Sequence, residues 1–137
     1  LLGLCPVSSF EGEAAMSLEF AARRAEPCAV PGPSLDWQPL IEMLANPGQP
    51  VPARAAAFHH ALADTILHQA SQAAVDQVLL TGGCFQNALL TELAAARLRT
   101  AGFQVFTHQA LPPNDGAIAA GQILAAALRQ QEPPPCA

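Results

Sequence analysis

The sequence predicts an α/β fold in which two parallel strands alternate with helices. Two apolar runs, DQVLLT at 76–81 and FQVFTH at 103–108, have the length and the bounding turn residues of strands. Each run precedes a stretch with helical spacing, NALLTELAAARLRTAG at 87–102 and GAIAAGQILAAALRQQ at 116–131. The order strand, helix, strand, helix predicts parallel strands joined by a right-handed crossover.

Three more helices are predicted before the first strand. SSFEGEAAMSLEFAARRA offers Ser8 or Ser9 as an N-cap and has acidic residues in its first turn. LDWQPLIEML is a short helix that we expect Pro39 to interrupt. A long amphipathic helix is predicted from Pro52 to about Ala74, because Pro52 suits a first turn and apolar residues recur at helical spacing.

The domain organisation follows from these elements. We expect residues 1–137 to form one lobe fragment of a larger domain. Residues 26–52 are rich in Pro and Gly and are predicted to be a variable surface excursion, and residues 131–137 a Pro-rich tail. Because the chain has no initiator Met and no basic signal-peptide segment, we expect it to begin inside a larger protein.

Composition excludes several classes of function. The 137 residues are 51% apolar and 12% charged, which indicates a globular chain. The net charge of −5 argues against a nucleic-acid partner. The complete lack of Lys removes any lysine nucleophile or lysine phosphate anchor. No apolar run approaches the length of a membrane span, so we expect no membrane partner. Four cysteines without a CxxC pair indicate reduced thiols, and we expect a cytoplasmic protein.

Two motifs follow the predicted strands, TGGCFQN at 81–87 and PPNDG at 112–116. Because ligands of open α/β sheets bind beyond the carboxyl ends of the strands, we expect the two motifs to be neighbours at a binding site. Gly82 and Gly83 would let backbone N–H groups face an anion, Asn87 offers a donor and an acceptor, and Asp115 could ligate a cation. In the simpler alternative, the glycines make a tight turn and both polar side chains are helix caps.

The combination of FEGEAAM, FHHALA, LTGGCFQN and GFQVFTHQALPPNDGAIAAGQ resembles the C-terminal end of the hydrogenase maturation carbamoyltransferases, the HypF family. That region is the second lobe of a domain similar to the universal tRNA threonylcarbamoyladenosine synthase. The resemblance covers nearly the whole chain and is weakest in residues 26–52. It implies a partial lobe of the actin/Hsp70/sugar-kinase (ASKHA) ATP-binding fold.

The resemblance also implies roles for particular residues. Glu11 and Gly12 match the segment that contacts the nucleoside. Gly82, Gly83 and Asn87 match the nucleotide loop. Asp115 matches a metal-ligating aspartate, and the divalent metal (Mg, Fe or Zn) would be shared with a first lobe whose HxxxH motif has no counterpart here.

This sequence departs from the family pattern at two positions of these motifs. Cys84 stands where a small apolar residue is usual, and Ala117 stands where a second glycine is usual. We expect Cys84 to have a packing role, because no base stands beside it in the sequence. Ala117 would tighten the approach of a phosphate to the chain.

The function that the resemblance implies is ATP-dependent carbamoyl transfer. Carbamoyl phosphate is converted to a carbamoyl-adenylate, and the carbamoyl group passes to the C-terminal cysteine of the partner HypE. The catalytic residues are unknown, and we expect the fragment alone to be inactive and to bind the rest of its parent or to form a homodimer through its open sheet edge. Two alternatives stay open: a lobe of the tRNA-modifying enzyme, and a nucleotide-binding or partner-binding module without turnover.

The four histidines have no role that the sequence settles. His60, Asp64 and His68 form a polar stripe on the long helix, which is typical of a solvated face and less often of a metal site. His59 borders the apolar face and is expected to pack there. His108 follows the second strand and lies nearest the predicted site.

Overall fold

The computed structural model describes residues 1–131 and confirms the α/β fold with five helices and two strands. The helices are α1 (Glu13–Ala22), α2 (Gln38–Ala45), α3 (Val51–Gln72), α4 (Ala88–Thr100) and α5 (Ile118–Gln131). The strands are β1 (Gln77–Leu80) and β2 (Gln104–Thr107), and short 3-10 turns at Gly83–Gln86 and Asp115–Ala117 precede α4 and α5.

The two strands pair in parallel, as the order of elements predicts. Gln77 is opposite Gln104 and Leu80 is opposite Thr107, so the strands end at the same level. The carboxyl ends of both strands therefore open onto the same edge of the sheet, which is where the two polar motifs begin.

The long helix α3 is the centre of the packing. Its alanines contact α1 through Ala55 and Ala56, α2 through Ala61, and α4 and the sheet through Ala63. Nine of the fourteen buried apolar side chains in the described residues are alanines, which lets the helix backbones approach closely. Leu98 of α4 packs beneath the inner face of the sheet and is the largest apolar side chain that is fully buried in the described residues.

Two local predictions were wrong. The first helix begins at Glu13 with Gly12 as its N-cap, so neither Ser8 nor Ser9 caps it. Pro39 does not interrupt the second helix, because it stands in the first turn, where its missing N–H has no intrahelical partner to lose. Pro52 does lie in the first turn of α3 as predicted.

The predicted excursion at 26–52 contains α2, which is anchored to the core by Leu40 and Leu44. The buried Arg54 of α3 donates from its guanidinium to the carbonyl oxygen of Leu44, which holds the end of α2 against α3. Beyond Gln131 the predicted Pro-rich tail lies outside the described residues. In the described part of the chain, no helix combines the length and the apolar character that a membrane crossing requires.

The outer face of the sheet is open, although a continuous apolar run such as that of the first strand is typical of a strand buried on both faces. Leu79 is 56% exposed and its strand partner Phe106 is 44% exposed, whereas Leu80 on the inner face is buried. Helix α5 is also exposed along nearly its whole described length, with Ile123, Leu124 and Leu128 in solvent. We define the outer face as the paired side chains of Leu79 and Phe106. Because these adjacent apolar side chains are exposed, we expect them to form a contact surface.

We expect the isolated 137-residue chain to self-associate through the outer face and the open sheet edge. The substitution Leu79→Lys adds a charge at the centre of this face and should shift the chain toward monomer in light scattering. Leu35→Lys is the matched control, because Leu35 is similarly exposed at 64% but lies far from the sheet in the chain. A wild-type chain that stays monomeric at high concentration would contradict the expectation.

Candidate functional site

The two motifs at the ends of the strands are neighbours, as the topology predicts. The backbone N–H of Gly82 donates to the carbonyl oxygen of Pro113 over 2.8 Å. His108 Nε2 and Thr81 Oγ1 form a second contact between the strand ends, also at 2.8 Å. These bonds place the Gly-Gly loop beside the PPNDG turn and occupy His108 at the edge of the site.

A cleft of about 560 Å³ lies between α1, α3 and the loop that precedes α4. Four of the five predicted nucleotide-binding residues line this cleft: Glu11, Gly12, Gly83 and Asn87. Gly82, the fifth, adjoins the cleft through its neighbour Gly83. The structure therefore brings together residues that are more than seventy positions apart in the sequence, as Gly12 and Gly83 are.

The glycines of the site have different reasons to be glycine. Gly82 has φ 99° and ψ 161°, a backbone conformation that only glycine adopts readily. Gly12 has φ 87°, in the left-handed region, where it ends the N-terminal turn and starts α1. Gly83 has no positive φ, and a Cβ added to it would meet nothing within 4 Å. Nothing in the described structure requires glycine at position 83, whereas the close approach of a ligand would.

The first turn of α4 is capped by two side chains. Asn87 is the N-cap and its Oδ1 accepts from Leu90 N over 2.8 Å. Glu19 of α1 reaches the same turn, and its Oε1 accepts from Leu89 N over 3.1 Å. The cap that the simpler interpretation gave to Asn87 is therefore present, and the partial positive charge of this helix end already faces a carboxylate.

Backbone donors remain at the preceding 3-10 turn. In residues 1–131, the N–H groups of Gly83 and Cys84 make no hydrogen bond to the protein. Both residues line the cleft, so these donors are available to an acceptor there. The Cys84 thiol is exposed and free, so the expected packing role is wrong in this structure.

His59 contacts the site directly. Its ring is 1% exposed, Nδ1 lies 2.8 Å from the carbonyl oxygen of Ala55, and Nε2 lies 3.0 Å from Asn87 Nδ2. Burial lowers the pKa of His59 below its usual value, which favours the neutral ring. The expected packing role is therefore incomplete, because the ring also holds a polar side chain of the cleft.

Asp115 stands apart from the cleft wall. It is exposed in the short 3-10 turn before α5, beyond Asn114, whose Oδ1 accepts from Gly116 N. Within the described residues no group of three His, Cys, Asp or Glu side chains could hold a metal ion. One carboxylate is a fitting oxygen donor for a divalent cation, but the other donors have to come from elsewhere.

The polar stripe of His60, Asp64 and His68, the alternative metal site, is contacted by the guanidinium of Arg97. Arg97 of α4 donates from Nε to Asp64 Oδ1 over 2.6 Å and from its NH2 group to His60 Nδ1 over 2.9 Å. Burial and the neighbouring Arg97 lower the pKa of His60, so its ring accepts as a neutral imidazole. His68 is exposed further along α3. A positive group already fills the place that a metal would need.

The sequence reasoning missed three residues of the cleft. Met16 and Phe20 line it together although they are 45% and 55% exposed, and Glu19 lies between them as a buried carboxylate that also binds Arg23 over 3.0 Å. The sequence does contain a pattern that could have indicated Met16 and Phe20. Together with Gly12 they recur every four residues, which places them on one side of α1. That side is distinct from the alanine face that packs on α3.

The parallel pair with helices on its inner face and the cleft beside the Gly-Gly loop are those of a partial lobe of the actin/Hsp70/sugar-kinase class of two-lobed folds. The family model described as "Carbamoyltransferase, Kae1-like Domain, second subdomain" matches residues 1–122. The chain belongs to this family, that of the HypF proteins.

Similar proteins agree with this assignment. "Carbamoyltransferase HypF" of Rhodobacter capsulatus is 40% identical over 140 aligned positions, which cover 93% of this chain and 18% of the relative. The protein of the same name from Synechocystis is 36% identical over 135 aligned positions, which cover 91% of this chain and 18% of that protein. A crystal structure of full-length HypF in the phosphate- and nucleotide-bound form is 26% identical with a TM-score of 0.76, covering 96% of this chain and 19% of that one. The chain thus spans about a fifth of the length of these relatives.

The two adjacent glycines should respond differently to Ala. Gly82→Ala should lower the free energy of unfolding by about 1–3 kcal/mol, because the side chain is forced into a glycine-only backbone conformation. Gly83→Ala should leave it unchanged within about 0.5 kcal/mol, since the added methyl group meets open space. Urea denaturation measures both. Equal destabilisation by the two variants would show that Gly83 has a structural role in this loop.

Proposed function

We propose that this chain is the nucleotide-binding second lobe of a longer carbamoyltransferase, the parent protein, which uses ATP and carbamoyl phosphate. The observation that carries the proposal is the convergence of Glu11, Gly12, Gly83 and Asn87 on one cleft in a chain of the HypF family. The nucleotide-bound crystal structure with which the chain aligns supports it as well.

The cleft suits an adenine nucleotide in its chemistry. Met16 and Phe20 offer an apolar wall for the base, and the carboxylate of Glu11 can accept from ribose hydroxyl groups. The unpaired N–H groups of Gly83 and Cys84 can donate to a phosphate oxygen. Because Glu19 occupies the N-terminus of α4, the phosphates are expected on the side of the Gly-Gly loop and the PPNDG turn.

The proposed reaction follows from the weak reactivity of carbamate as an acyl donor. Water cleaves carbamoyl phosphate to carbamate and inorganic phosphate. A carbamate oxygen then attacks the α-phosphorus of ATP and pyrophosphate leaves, which gives carbamoyl-adenylate. The thiolate of the C-terminal cysteine of HypE then attacks the carbamoyl carbon and AMP leaves. In this reaction the residues of this chain orient the nucleotide and direct backbone N–H donors at its phosphates.

A divalent cation is part of the proposal. Asp115 follows by two positions Pro113, whose carbonyl oxygen accepts from Gly82 N, and Asp115 would supply one oxygen ligand. A bound Mg²⁺, Fe²⁺ or Zn²⁺ would supply charge stabilisation for phosphate oxygens. Its remaining ligands would belong to the first lobe of the parent protein.

The remaining partner is the rest of the parent protein. The exposed side chains of Leu79 and Phe106 give a surface for it to cover, and the chain spans only 18% of its relatives. We propose that the parent protein acts in the cytoplasm, because the four cysteines of this chain have no CxxC pair and no spacing that indicates a disulfide framework. Carbamoyl transfer requires both lobes, because only a closed cleft excludes water from the adenylate.

The nucleotide assignment is tested by Gly83→Val in the parent protein. The side chain would enter the cleft where the ligand approaches the backbone, so ATP affinity should fall by roughly tenfold or more without loss of stability. Gly121→Val is the control, because it adds the same side chain at an open position of α5. Isothermal titration calorimetry with ATP measures both. Unchanged affinity in Gly83→Val would refute the placement of the nucleotide.

A second variant addresses the polar contact. Asn87→Ala should weaken ATP binding by about 1–3 kcal/mol, since it removes a partly buried polar group of the cleft. The same titration measures the effect. If ATP binds Asn87→Ala as tightly as the unmodified protein, Asn87 is a helix cap and has no role in the nucleotide site.

The metal assignment makes a separate prediction. In the parent protein, Asp115→Asn should weaken binding of the divalent metal at least about tenfold, since even outer-shell losses have effects of that size. Asp76→Asn is the control, an exposed aspartate at the opposite end of β1. Metal content after dialysis is the measurement. Stoichiometric, tightly held metal in the isolated 137-residue chain would contradict a site shared between lobes.

A further inference from the structure

We propose that His59 is a positioning residue that fixes the side-chain amide of Asn87 in the cleft, an inference that rests on the proposed nucleotide site. The two side chains come from different helices, 28 positions apart, and meet at the wall of the cleft. His59 would act through Asn87 and would have no step of its own in the reaction.

The hydrogen bond at Nδ1 determines the tautomer of the ring. Ala55 O is a carbonyl oxygen and can only accept, so His59 Nδ1 carries the proton of the 2.8 Å bond. In the neutral ring Nε2 is then an acceptor. The partner of Nε2 must be a donor, and the group that faces it at 3.0 Å is Asn87 Nδ2.

The orientation of the Asn87 amide follows independently from its other end. Leu90 N can only donate, so the Asn87 atom that it contacts at 2.8 Å is the oxygen. The amide nitrogen therefore points toward His59. The two partners of the amide, one a donor and one an acceptor, therefore agree on a single orientation. A flip of the Asn87 amide by half a turn would break both hydrogen bonds.

The surroundings keep His59 in this state. The ring is almost completely buried and packs edge-to-face against Phe58, with ring centroids 5.6 Å apart. Protonation would place an N–H of the ring against an N–H of Asn87, and burial opposes it by lowering the pKa of His59. Glu19 of α1 and Arg23 at its C-cap are the charged groups that act on the ring, and they act in opposite directions.

The consequence for a ligand is a defined donor. An Asn amide has two N–H groups and two oxygen lone pairs. His59 uses one N–H of Asn87 and Leu90 N uses one lone pair, so one N–H and one lone pair remain at the cleft. The free N–H has a fixed direction and suits an acceptor atom of the nucleotide, such as a ring nitrogen or a phosphate or ribose oxygen.

The ring tautomer is measured in the unmodified parent protein by two-dimensional NMR of histidine labelled with ¹⁵N, and His59→Gln identifies the resonance. We expect the Nδ1-protonated tautomer, with Nε2 unprotonated at neutral pH. An Nε2-protonated ring or a doubly protonated ring would overturn the proposal. The measurement requires no nucleotide, so it stays decisive even if the proposed function fails.

Affinity for ATP separates positioning from mere packing. His59→Phe keeps the ring shape but removes the acceptor, and ATP affinity should fall about tenfold, the size of one typical hydrogen bond. His59→Gln retains an acceptor near the position of Nε2 and should recover most of the affinity. His59→Phe combined with Asn87→Ala should bind ATP no more weakly than Asn87→Ala alone, because both act through one group.

Three results would overturn the proposal: unchanged ATP affinity in His59→Phe, no recovery in His59→Gln, or additive losses in the double variant. If His59→Phe does not fold, the tautomer measurement and His59→Gln still decide. If Asn87→Ala itself retains full ATP affinity, the assignment of Asn87 to the nucleotide site is wrong, and this result is distinct from a failure of His59 alone.

Discussion

The hydrogen bonds to the first turn of α4 connect the helical core to the cleft. Glu19 of α1 binds Leu89 N, and His59 of α3 binds the amide of Asn87, so two different helices hold the same turn. The Gly-Gly loop lies immediately before that turn and is pinned at its other side by Pro113. The geometry of the cleft therefore depends on contacts between elements that are far apart in the sequence.

This arrangement explains how far the sequence could predict the structure. The βαβα order and the meeting of the two motifs depend on local periodicity, turn residues and strand direction, which a single sequence displays. The roles of Glu19 and His59 depend on which helices become neighbours. Their side chains lie on stretches that look like ordinary amphipathic helix, so no local pattern distinguishes them from solvated or packed residues.

The open outer face of the sheet shows a second limit of prediction from the sequence, this time for the burial of a strand. An uninterrupted apolar strand such as DQVLLT predicts burial on both faces, yet among the described residues helices cover only the inner face. Since the chain spans about a fifth of its relatives, the covering elements have to be sought in the remainder of such a protein. The strand pattern therefore describes the assembled domain better than it describes these residues alone.

Charge determines what the cleft can do by itself. Its lining contains the carboxylates of Glu11 and Glu19 and, within the described residues, neither Lys nor Arg. The guanidinium of Arg23, at the C-cap of α1, is engaged by Glu19 and Glu92. Backbone N–H groups at Gly83 and Cys84 can orient a phosphate but cannot neutralise a polyphosphate that faces two carboxylates. A nucleotide with its full charge would thus need cations from outside this lobe, which is the physical reason why a metal at Asp115 and a facing lobe belong to the same proposal.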